Sequence, residues 1–162
     1  MNVIIYDFGS QYDEILRGKY DVLIHADGNC APCKGCFRCW TKHPAECFIK
    51  DKLRRVCRDV GGADVLTVAS ENLYGSYSPN IKTVLDRSIG LSTPLSVYRG
   101  KQMRHALRYG KHSLLRAIVY GDITEREKDT FLTIAKRNAL NYGYEKSEVV
   151  FLENPSNLED VL

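Results

Sequence analysis

Five short, β-branched apolar runs restrict what this chain can fold into: residues 2–6 (NVIIY), 21–25 (DVLIH), 64–70 (DVLTVAS), 114–120 (LLRAIVY) and 148–152 (EVVFL). Runs of this length and composition read as buried strands. Helical patterns stand between most of them. Ser10 can cap a brief helix with Tyr12, Ile15 and Leu16 on one face, stopped by Gly18. Asp51 opens a second, in which Leu53, Val56, Cys57 and Val60 recur at helical spacing until Gly61-Gly62. Ser78-Pro79 is a cap followed by proline at the first helical position. It precedes Ile81, Val84, Leu85 and Ile89, with Gly90 closing the helix. Thr124 and Glu127 form a capping box before Phe131, Ile134, Ala135 and Tyr142, and Gly143 ends that helix. The tail, residues 155–162, reads as one or two further helical turns.

Strand and helix therefore alternate. Parallel strands need crossovers, and a sheet with helical crossovers is covered on both faces. Right-handed crossovers give an α/β three-layer sandwich with a five-stranded parallel sheet in the order 2-1-3-4-5. Ligands in such sheets sit beyond the strand C-termini, where the first and third strands part. Here that edge comprises residues 7–11, 70–78 and 120–124. The whole of residues 1–162 reads as one domain, carrying a cysteine-rich loop at about 27–50 and a long irregular, basic stretch at about 90–113.

Composition narrows the class. A charged fraction of 27% and a hydrophobic fraction of 44% are ordinary for a globular domain. A net charge of +3 gives no argument for nucleic acid as a partner. The opening run meets Asp7 and Gly9 too soon for a signal peptide, and no segment is apolar enough for a membrane span. The expectation is a cytoplasmic protein. Five of the six cysteines fall between Cys30 and Cys47, which in that setting points to metal or redox chemistry before crosslinks.

Two segments carry a family resemblance. Cys33-Lys-Gly-Cys36-Phe-Arg-Cys39-Trp40, followed by Cys47-Phe-Ile-Lys-Asp51, resembles the cysteine loop of the NAD(P)H-dependent FMN reductases and iron-sulfur flavoproteins. Ser70-Glu71-Asn72-Leu73-Tyr74-Gly75-Ser76, with Asn80-Ile-Lys82 to Asp86-Arg87 behind it, is similar to that group's flavin-ring loop and following helix. The resemblance implies a flavodoxin-like fold and FMN-dependent oxidoreductase or electron-transfer activity, with NAD(P)H as the donor. It also implies a small-molecule or protein redox partner and a homodimer or homotetramer. It places the cofactor against Gly9, Ser10 and Gln11 and against Ser70 to Ser76, where Gly75 permits a tight loop and Tyr74 could stack on the ring. It further implies Cys33, Cys36, Cys39 and Cys47 as ligands of a four-iron four-sulfur cluster, with Cys30 as an alternate. Zinc, and free or redox-active thiols, stay open at these cysteines. Cys57 reads as core packing.

One part of the pattern fails. The family's phosphate loop, rich in hydroxyls and carrying an arginine, is replaced by Asp7-Phe8-Gly9-Ser10-Gln11-Tyr12-Asp13-Glu14. Acids in the first helical turn satisfy the helix dipole without a phosphate. The alternative function is a flavodoxin-like module that has lost FMN, with or without metal at its cysteines. The basic stretch carrying Arg99, Lys101, Arg104, Arg108 and Lys111 reads as a solvated face, a dimer contact, or a substitute source of phosphate contacts.

Overall fold

The computed structural model describes residues 1–161. Strand β1 (Asn2–Tyr6) leads through a 3-10 turn (Ser10–Tyr12) into α1 (Asp13–Arg17), then β2 (Val22–His25). After the cysteine loop come α2 (Val56–Gly61), β3 (Val65–Leu73), the short β4 (Ser76–Tyr77) and α3 (Pro79–Arg87). A 3-10 turn (Ser88–Leu91) precedes β5 (Ser92–Arg99) and β6 (Gln102–Leu107). Strand β7 (His112–Tyr120), α4 (Glu125–Tyr142), β8 (Tyr144–Leu152) and a 3-10 turn (Pro155–Asp160) complete the described chain. Leu162, the last residue of the expected helical tail, lies outside the described residues.

The main sheet runs β2-β1-β3-β7-β8, parallel throughout, which is the expected doubly wound order. Period-two alternation divides each strand between two cores. Val3 and Ile5 join the larger one, with α2, α3 and α4. Ile4 and Tyr6 face the smaller one, with Phe8, Leu16 and Leu158. Two of the predicted caps form, at Ser78 and at Thr124. Ser78 Oγ accepts the Ile81 N–H at 3.3 Å, and Glu127 Oε2 accepts the Thr124 N–H at 2.8 Å. No helix among the described residues is long and apolar enough to cross a membrane.

Three local expectations change. Ser10 makes no side-chain cap; the chain enters α1 through the 3-10 turn instead. The helix expected from Asp51 begins only at Val56, because Asp51 turns its carboxylate to the N–H groups of Ala31 (3.2 Å) and Leu53 (3.0 Å) and to Arg87. The stretch expected to be irregular is an antiparallel hairpin of β5 and β6, closed at Gly100, whose φ of 59° suits a tight turn.

Candidate functional site

The C-terminal ends of β1, β3 and β7 meet at Asp7. Its carboxylate accepts the Glu71 N–H (3.2 and 3.3 Å) and the Tyr120 hydroxyl (2.8 Å), tying the three strand ends together. Burial, and then the Asp7 charge, push the Tyr120 pKa well above its ordinary value, so its hydroxyl stays a donor. Beside it, Tyr6 donates to Asp13 at 2.6 Å and stacks on the His25 ring with centroids 4.8 Å apart.

Ser70 to Ser76 project from this edge as a tight hairpin. Asn72 pairs with Tyr77 and Leu73 with Ser76, leaving Tyr74 and Gly75 as the turn. Both have positive φ, 53° and 74°. That pair defines a turn whose twist matches the strands, and glycine or asparagine fills it at least cost. Tyrosine there is strained, yet the residue is 86% exposed. Buried Ser70 accepts the Ser78 N–H and donates to Glu71 O, both at 2.9 Å, which holds the strand exit. Asn72 donates to Asp122 O at 2.8 Å and accepts the Gly75 N–H at 3.0 Å. The Gly75 amide is therefore used within the loop. A Cβ on Gly75 would stand 3.1 Å from the Glu127 backbone, so the hairpin tip seats against the first turn of α4.

Gly9, Ser10 and Gln11 lie exposed after β1. No side chain caps the turn they open, and the first amides of such a turn have no partner within it. The Gln11 side chain folds over Gly9, where a Cβ would collide with it. Asp13 and Glu14 follow in the first turn of α1. These residues fit a flavin in two unequal halves. The hairpin and Tyr74 suit the ring, whereas the phosphate would rest on amides and one hydroxyl beside carboxylates.

The basic hairpin lies at the opposite end of the sheet. Helix α4 starts at the C-terminal edge and ends where Gly143 accepts the His112 N–H (3.0 Å), at the start of β7. Arg99 donates to Leu140 O (2.7 Å), near that far end of α4, and to His105 O (2.6 Å). Arg108 donates to Gly90 O and Trp40 O, both at 3.1 Å. Within one chain, this stretch cannot replace the missing phosphate contacts.

Cys33, Cys36, Cys39 and Cys47 line one small cavity of about 80 Å³, with Phe48 and Arg87. Their sulfurs do not converge. Among the described residues, no group of three or more histidine, cysteine, aspartate or glutamate side chains is placed to hold a metal. Cys33 and Cys36 are exposed while Cys39 is buried. The Cys47 sulfur accepts the Arg87 Nε–H at 3.1 Å. As arranged, the four do not fit a cluster. Arg87 is the feature that sequence reasoning missed. It is fully buried and donates to both Asp51 oxygens (2.9 and 2.7 Å) and to Ala31 O (2.6 Å). Asp51 and Arg87 each stood in a recognised motif, and their pairing explains why both are there.

Cys57 is the second such feature. Its thiol donates to Arg87 O at 3.2 Å, and its sulfur stands with that of Cys39 around Gly90. The neighbouring Cys57 thiol, aided by Arg108, holds the Cys39 pKa below that of an ordinary thiol, while the Cys39 thiol and burial raise Cys57.

Sheet order, crossovers and edge together define a flavodoxin-like α/β protein. No protein-family model matches the chain, and no curated protein matches it in sequence. Solved structures match it in fold. An FMN-dependent NADH-azoreductase from Bacillus anthracis aligns with a TM-score of 0.58 at 11% identity, over 98% of this chain and 92% of that one. An NAD(P)H:quinone oxidoreductase from Methanothermobacter marburgensis aligns at 0.55 and 11%, over 99% and 92%. Smu.1420 from Streptococcus mutans aligns at 0.59 and 12%, over 94% and 87%. At such identities the likeness establishes the fold.

Proposed function

We propose that this chain is an FMN-dependent NAD(P)H oxidoreductase or electron-transfer protein of the cytoplasm, with its flavin along the C-terminal sheet edge. The observation that carries this reading is Tyr74: an aromatic ring kept exposed, on a strained backbone, beside the crevice where ligands of doubly wound sheets bind. Strain of this kind clusters at active sites and ligand clamps. The activities named for two of the fold neighbours, FMN-dependent NADH-azoreductase and NAD(P)H:quinone oxidoreductase, support the same class.

In this reading Tyr74 packs on the flavin ring, and the Ser10 and Gln11 amides take its phosphate. Ser70, Asn72 and Glu127 hold the hairpin rigid. The flavin, when bound, accepts a hydride and passes electrons on. The cysteines stand outside this reading, because the Cys47 sulfur is engaged by Arg87 and the others do not converge with it. The exposed Leu95, Val97, Tyr98 and Met103 of the β5–β6 hairpin support a homo-oligomer.

Titration of the purified chain with FMN, followed by flavin fluorescence and visible absorption, tests this. Tyr74→Ala is expected to weaken binding by about three- to tenfold, the worth of one aromatic contact. Unchanged affinity in that variant would remove Tyr74 from the site. The second reading, a module without flavin, is favoured by one observation: Asp13 and Glu14 in the first turn of α1. It predicts no spectral change at any FMN concentration.

A further inference from the structure

The cysteine cavity holds a chemistry that the flavin reading does not use. Cys57 and Cys39 come from distant segments, are both buried, and bring their sulfurs to the same side of Gly90. Gly90 permits the approach. A Cβ there would stand 2.7 Å from Cys57 Sγ, 2.8 Å from Cys39 Cβ and 3.2 Å from Cys39 Sγ, so any side chain would wedge the pair apart. Cys39 also lines the cavity of about 80 Å³, whose wall includes the exposed Cys33 and Cys36. A small oxidant could thus reach Cys39 while Cys57 waits behind it.

We propose that Cys39 and Cys57 are a redox-active dithiol, which a peroxide-class oxidant closes into a buried disulfide that staples the cysteine loop to α2. The Cys39 sulfur attacks one peroxide oxygen. A sulfur–oxygen bond forms, the oxygen–oxygen bond breaks and one water leaves, so Cys39 becomes a sulfenic acid and the peroxide is reduced by two electrons. Cys57 then attacks the Cys39 sulfur and loses its proton to the departing oxygen. The sulfur–sulfur bond forms, the sulfur–oxygen bond breaks and a second water leaves. One hydrogen peroxide and two thiols yield two waters and one disulfide. Hydrogen peroxide is little larger than water, so the cavity admits it.

The test uses the full chain without flavin, so its result is independent of the flavin reading. Equimolar hydrogen peroxide is added, remaining thiols are alkylated, and peptides are mapped by mass spectrometry. The expected result is loss of two of the six thiols, a linked peptide pair containing Cys39 and Cys57, and full reversal by dithiothreitol. The link persists when Cys33 and Cys36 are both changed to serine. In Cys57→Ala, Cys39 stops at a sulfenic acid that dimedone captures. Should that variant not fold, the wild-type map still decides. Oxidised protein in which Cys57 remains fully alkylated, or in which the only link joins Cys33 to Cys36, overturns the proposal.

Discussion

Changing Asp51 to asparagine is expected to lower the stability of this protein by about 3–5 kcal/mol, because it strands a buried cation. Arg87 has no exposed side-chain surface and donates to both oxygens of Asp51. Asparagine keeps the shape but offers one acceptor and no charge. The Ala31 carbonyl and the Cys47 sulfur remain, and neither neutralises a guanidinium. Arg87→Lys would not restore the arrangement, since an ammonium cannot grip two oxygens in a plane. Urea unfolding measures the loss. The pH dependence gives a second check. Hydrogen bonding to Arg87 holds the Asp51 pKa below its ordinary value, so the folded chain binds this proton less readily than the unfolded one. The pair's stabilisation is fully present above the unfolded aspartate pKa of about 4. It is lost as pH falls through the depressed folded value. Asp51→Asn should lack that acid-side component; an unchanged acid profile would show that the pair does not set it.

Asp7→Asn should move binding and stability in opposite directions. Asp7 is the carboxylate at the meeting point of β1, β3 and β7. It also adds a negative charge beside the turn proposed to take the flavin phosphate. Asparagine can still accept from Tyr120, so the stability cost is that of one weakened hydrogen bond, about 1 kcal/mol. Removing one like charge at moderate screening is worth about 1–2 kcal/mol to a bound phosphate, or about tenfold in FMN affinity. Riboflavin, which has no phosphate, should bind the variant and the wild type equally. A parallel gain for both ligands would mean that the charge acts on the ring instead. No gain for either would place the phosphate elsewhere.

What the sequence made legible follows from the range of each interaction. Val3 and Ile5 face one core and Ile4 and Tyr6 the other, so the apolar runs announce buried parallel strands directly. Thr124 with Glu127, and Ser78 with Pro79, are local devices that need no partner beyond one helical turn. The β5–β6 hairpin was hidden because only its ends are covered, at Ser92 and Leu107. Leu95, Val97, Tyr98 and Met103 stand exposed, and the cations between them read as loop. Asp51 looked like a helix cap because its true partner, Arg87, lies 36 positions away. Cys57 likewise sits at an apolar helical position, and only the fold brings it beside Cys39 at Gly90. The ring half of the candidate site was legible as Tyr74-Gly75. Its internal use of the Gly75 amide was not, since that depends on where Asn72 turns its side chain.

The measurement that bears most directly on the flavin edge is an anaerobic titration of the chain, mixed with FMN, against NADPH and NADH. The visible flavin band should shift on mixing and then bleach on addition of either nicotinamide, at a rate well above that of free FMN. A flavin spectrum identical with and without the protein, at FMN in large excess, would contradict the account.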